Sequence, residues 1–145
     1  MLETFVVSSL LGREVISKSI GEATKKTYDN ISLLLQNDEF IFKNVLEELD
    51  IKVKINIINK LIAEFDKKFL SDVVHQCLVN LHEIVEKINL EIESIKNEST
   101  KYNNLWFKYL YTNPTINLIN NLKKHTFIMD QRLEMLVKVL NIRHN

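Results

Sequence analysis

The stretch Ser71–Ile95, SDVVHQCLVNLHEIVEKINLEIESI, decides the fold. Within it Val74, Leu78, Leu81, Val85, Ile88, Ile92 and Ile95 recur at alternating four- and three-residue steps, the apolar seam of a heptad helix. Asp72 lies in the first turn, where a carboxylate suits the positive end of the helix dipole, and Ser71 stands where an N-cap belongs. The same register continues through Ser99, Tyr102, Trp106 and Tyr109. The spacing therefore predicts one helix over 71–110, on the order of 60 Å long at 1.5 Å per residue, unless the polar run Lys96–Lys101 bends it.

Downstream, Ile119, Leu122, Thr126, Met129, Leu133, Leu136 and Leu140 keep the complementary spacing and predict a helix over 114–142. Asn113-Pro114 opens it, with proline at the first helical position where its missing N–H has no partner to lose. Upstream, Ile51, Ile55, Ile58, Ile62, Phe65 and Phe69 form a third stripe, and Phe42, Leu46 and Leu49 form a stripe in another phase. The phase change at Asp50, a residue able to cap a new helix, predicts an arm over 39–68 with a break near 50. A first helix over 3–36 carries Phe5, Ser9, Gly12, Ile16, Ile20, Ala23, Thr27, Ile31 and Leu34 on one face. These segments predict an all-α antiparallel four-helix bundle with coiled-coil-like seams, one domain spanning 1–145.

Composition supports that class. The chain of 145 residues has only two glycines and one proline, so hairpin turns, phosphate-cradling loops and nucleophile elbows, which need glycine, are nearly excluded. Nineteen basic and nineteen acidic residues cancel, and their signs alternate along the chain. No overall field gathers phosphate backbones, which argues against nucleic acid. Cys77 is a lone cysteine and points to a reducing, intracellular setting. Met1-Leu2-Glu3-Thr4 lacks a basic leader pattern, and the apolar run from Phe5 to Leu11 stops at Arg13-Glu14, so neither a signal peptide nor a membrane span is expected. On that reading the sequons at Asn30 and Asn97 carry no glycan.

Residue patterns for chemistry are sparse. His75 and His82 share a helix face with Asp72, Cys77 and Glu86 nearby, yet the acidic-x-x-His pair Asp72–His75 has no counterpart around His125 on the closing helix. No metal or other cofactor is expected. Cys77 falls mid-helix beside the seam, the place of an inert packed thiol, and Glu47-Glu48 point to different sides of their helix. No catalytic residue emerges. The first helix repeats small-x-x-x-small spacing at Ser8/Gly12 and Ser17/Gly21, candidate positions for close helix packing inside the bundle, against another chain or in a bilayer. The segment Tyr102–Tyr111 holds five of the twelve aromatic residues, too many for one seam. Trp106 and Tyr109 fit the inner register as a plug, whereas Phe107 and Tyr111 lie off it; Trp106, Phe107, Tyr109 and Tyr111 are candidate partner contacts.

The strings VLEELDIKVKINIINKLIAEF, LHEIVEKINLEIESI, LWFKYL and LKKHTFIMDQRLEMLVKVL, in this order over residues 45–140, resemble small helical proteins of large nucleocytoplasmic DNA viruses. The resemblance implies a viral or virus-derived protein and brings no catalytic residue. The architecture also resembles the HeLo and MLKL-like bundles of cell-death pathways, without a shared motif. The expectation is a non-enzymatic structural or interaction bundle with a protein partner, itself included. The alternative is membrane association through the amphipathic first helix, against which its mixed-sign polar face (Arg13/Glu14, Glu22/Lys25) argues.

The plug and contact readings of the aromatic segment differ under mutation. Trp106→Ala should cost about 3–5 kcal/mol in chemical denaturation. The Phe107→Ser/Tyr111→Ser double variant should keep its melting temperature and weaken association by about 2 kcal/mol or more. A double variant that unfolds would place all five aromatics in the core.

Overall fold

The computed structural model describes the backbone of residues 2–37, 40, 42–65, 71–103 and 115–144, and the side chains of 16–37, 40, 42–64, 71–98 and 116–142. Five helices follow in order: α1 (Leu2–Gln36), α2 (Lys43–Leu49), α3 (Ile51–Phe65), α4 (Asp72–Asn103) and α5 (Thr115–His144). The architecture is the expected helical bundle with a break at residue 50. The aromatic segment 104–111 lies outside the described residues.

The α4 seam behaves as its spacing requires. Val74, Leu78, Leu81, Val85, Ile88, Ile92 and Ile95 are all buried, joined by Ile84 and Asn89 from the flanking positions. Ser71 caps the helix, its Oγ accepting from the Val74 N–H at 3.3 Å. The two flanks face different neighbours. Asn89 meets Asn30 of α1, whereas Glu91 meets His125 of α5. Helix α4 therefore lies between α1 and α5, and α3 packs on the other side of α1.

Cross-helix pairs set the directions. On α1 and α3, Thr24 meets Asn59 and Tyr28 meets Lys52, so the numbering runs in opposite senses. The same holds for α4 and α5, where Glu91 pairs with His125 and Asn80 with Arg132. Helices α3 and α5 are joined by Lys54 and Asp130 at 2.9 Å, which completes the ring in the order α1, α3, α5, α4. This fourth side is the thin one, because α3 and α5 approach each other far less closely than the other three neighbouring pairs do. Buried Ile20, Ile31, Leu34, Ile51, Ile55, Ile58, Ile62, Ile119, Leu122, Met129 and Leu136 join the α4 seam in one contiguous core.

The arm breaks at Asp50 as expected and departs from its expected boundary at the start. Helix α2 begins at Lys43 rather than 39, because Phe40 and Lys43 donate their N–H groups to Asn37 and Phe40 carbonyls in successive turns. Phe40 is buried there, its ring edge-on to Phe42 at 6.1 Å. Asp50 is more than a cap for the next helix. It adopts left-handed backbone angles (φ 55°, ψ 30°), donates its N–H to Glu47, and accepts from Lys54 N–H, so one residue closes α2 and starts α3. Aspartate is among the few non-glycine residues that tolerate this conformation.

Two buried threonines serve the same end as apolar side chains. Thr27 donates to the Ala23 carbonyl at 2.7 Å and Thr126 to the Leu122 carbonyl at 2.8 Å, so each hydroxyl is satisfied within its own helix and leaves a methyl for the core.

Asp50 yields a direct test. Asp50→Val should cost about 1–2 kcal/mol, the penalty for a β-branched residue forced into left-handed angles, while Asp50→Gly should leave stability nearly unchanged. Urea denaturation of both variants checks the ordering, and equal losses would show that the aspartate side chain, rather than the backbone angle, matters at this junction.

Candidate functional site

The residues able to do chemistry lie at the helix seams, and most are engaged there in pairs. Between α1 and α4, Asn30 Nδ2 donates to Asn89 Oδ1 at 3.1 Å, Asn89 Nδ2 lies 3.4 Å from Glu93 Oε1, and Lys26 Nζ reaches the same carboxylate oxygen at 3.5 Å. Between α1 and α3, the Thr24 hydroxyl lies 3.0 Å from both the Gly21 carbonyl and Asn59 Oδ1, with one proton to give. Arg132 of α5 donates to the Asn80 carbonyl of α4 at 2.7 Å and sits 3.7 Å from Glu83. Such ties cost desolvation as well as supplying hydrogen bonds, so their main yield is a fixed relative position of the helices.

The most enclosed pair is Glu91 with His125. Glu91 Oε1 faces His125 Nδ1 across the α4–α5 seam, and Glu91 Oε2, also buried, has no hydrogen-bond partner. Burial pushes the Glu91 carboxyl up from the usual carboxylate range; His125 and, more weakly, Lys87 pull it back without cancelling the rise. The arrangement is a partly buried carboxylate facing one imidazole, whose Nδ1 also lacks a well-aligned hydrogen bond. Among the described residues no group of three potential ligands could hold a metal ion. His82 pairs with Glu86 on its own helix at 3.3 Å, and Cys77 is a half-buried thiol whose pKa burial raises.

The small-residue positions separate. Ser17 is buried and its Oγ has no hydrogen-bond partner, whereas a Cβ added to Gly21 would meet nothing within 4 Å. No described helix therefore presses its backbone against Gly21. Ser8 and Gly12 lie in α1, and their surroundings fall outside the described side chains. Trp106, Phe107, Tyr109 and Tyr111 fall outside the described residues altogether. No described helix is long and apolar enough to cross a membrane.

A feature that periodicity does not reveal is the distribution of exposed large apolar residues. Among the described residues they are Leu33 on α1, Val53 and Ile57 on α3, Val73 and Leu90 on α4, and Ile116, Phe127, Met135, Val137 and Ile142 on α5. A hydropathy scan marks them only as apolar.

The raised Glu91 carboxyl fixes the sign of a pH effect. With the folded pKa above the unfolded one, the group's contribution to stability is fully present below the ordinary glutamate range and is lost as pH rises through the elevated folded value. Glu91→Gln should therefore be neutral to stabilising near pH 7 and should flatten the stability profile just above the ordinary glutamate range. His125→Ala, which leaves Glu91 unpaired, should cost about 1–2 kcal/mol at pH 7. Thermal melts across pH 4–7 check both, and a Glu91→Gln variant that is less stable throughout would reverse the assignment.

No family model matches the chain, and no solved structure matches it. Over 109 residues it is 28% identical to an uncharacterised protein of Acanthamoeba polyphaga mimivirus, an alignment that covers 75% of this chain and 52% of the viral protein. The chain thus spans about half the length of that relative. The resemblance to helical proteins of large nucleocytoplasmic DNA viruses, read from residues 45–140, is met by a relative from such a virus.

Proposed function

We propose that this chain is a non-enzymatic helical bundle that acts by presenting helix faces to a protein partner, a second copy of itself included. The observation that carries the reading is a division of labour among side chains. Charged and amide groups at the seams, Glu91, His125, Asn30, Asn89, Glu93 and Arg132, tie helix to helix. Large apolar groups on α3 and α5 remain outside the core. A catalytic centre needs polar groups converging on a space where substrate can sit, whereas these groups converge on each other. Exposed apolar side chains on a rigid helix are the material of protein contacts.

The aromatic residues Trp106, Phe107, Tyr109 and Tyr111 form a second candidate contact by their chemistry alone. The viral relative supports a setting in a virus or a virus-derived genome and adds no activity.

Cross-linking of the tagged full-length chain in its producing cells, followed by mass spectrometry, should recover one dominant protein or the chain itself, with the linked lysines on a single face. Light scattering of the purified chain separates the two results. A strict monomer that cross-links to nothing above background would overturn the proposal.

A further inference from the structure

Three sides of the ring are closed twice over, by apolar stripes in close approach and by polar ties. Thr24 meets Asn59 and Lys52 covers Tyr28 between α1 and α3, Asn30 meets Asn89 between α1 and α4, and Arg132 meets the Asn80 carbonyl between α4 and α5. The α3–α5 side is closed differently. The two helices approach far less closely, and among the described residues the ion pair of Lys54 Nζ with Asp130 Oδ2 at 2.9 Å is the one polar tie between them. Both side chains are partly open to solvent, at 28% and 41% exposure. Lys54 also stands at the junction of the arm, because its N–H donates to the Asp50 carbonyl in the first turn of α3. Asp130 follows Met129, which is fully buried on the inner face of α5.

A side tied by one solvated ion pair opens more readily than sides closed by packing, and salt screens such a pair while leaving buried apolar contacts in place. We infer that Lys54 and Asp130 form a salt-sensitive latch on the α3–α5 side. Its release lets α3 part from α5 and admits solvent to the inner face of α5, while the α1–α4 and α4–α5 seams stay closed. A partly exposed pair shifts an opening equilibrium by only about two- to fivefold. That modest factor makes ionic strength the variable that sets how often the core is reached from this side. The latch belongs to the isolated chain and so goes beyond the interaction reading above, whose cross-linking test is independent of it.

Two methionines of α5 report on the latch in the unmodified chain. Met129 is fully buried, and Met135, 56% exposed, is the internal reference. Dilute hydrogen peroxide converts an accessible thioether to the sulfoxide, and tryptic peptides 125–132 and 133–138 carry one methionine each, so mass spectrometry gives both rates. The ratio of the Met129 rate to the Met135 rate should rise about two- to fivefold between low and high sodium chloride at unchanged melting temperature. Lys54→Met and Asp130→Asn should each raise the ratio to that extent at low salt and remove its salt dependence, and the double variant should go no higher than either single one. Ile95→Val, which weakens the α4 seam, should lower the melting temperature and leave the ratio unchanged. A wild-type ratio indifferent to salt, single variants that keep the wild-type salt dependence, or single effects that add in the double variant would overturn the latch. A ratio that rises with every loss of global stability, Ile95→Val included, would overturn it as well, because the core would then be reached only by unfolding of the whole bundle.

Discussion

The bundle depends on α4 being buried on two flanks at once. Its seam residues from Val74 to Ile95 face the core, and the positions beside the seam divide between neighbours, Asn89 towards α1 and Glu91 towards α5. A helix with one partner needs a single apolar stripe. Helix α4 needs a wider one, which is why Ile84 and Asn89 are buried beside the heptad positions. Helix α3 then takes the remaining place, packed on α1 and bridged to α5 by Lys54 and Asp130.

The polar groups at these seams act as position markers. An isoleucine seam allows one helix to slide past another by a turn with little change in buried area. The pairs Asn30–Asn89 and Glu91–His125 do not allow it, because a slide strands a buried amide or carboxylate. Glu91 Oε2 remains without a partner even in the native register, so this specificity is obtained at some cost in stability.

Much of the fold was legible because periodicity reports directly on burial. The stripe from Ile51 to Ile62 and the α1 face from Ile20 to Leu34 are buried where their spacing put them, and Ser71 caps α4 as its position suggested. What spacing within one helix cannot carry is the offset between two helices. Glu91 and His125 lie on different helices, and neither pattern contains the slide that brings them together, so His125 showed no carboxylate within its own segment. The exposure of Ile57 and Phe127 was hidden for a related reason: each sits beside a strong core stripe, and hydropathy does not say where such a stripe ends. The backbone role of Asp50 was legible as a break but not as a left-handed residue, because aspartate serves both uses.

The thin α3–α5 side also divides the molecule energetically. Helix α3 leans mainly on α1, whereas α1, α4 and α5 share the two most extensive interfaces. The hinge at Asp50 and the turn after Gln36 leave α2 and α3 as one arm folded back along α1. Opening of this arm gives up Ile51, Ile55, Ile58 and Ile62 from the core and leaves a three-helix remainder whose own seams are intact. Sparser packing of α3 than of α4, which is enclosed on both flanks, is the arrangement in which the amides of α3 are expected to exchange with solvent before those of α4.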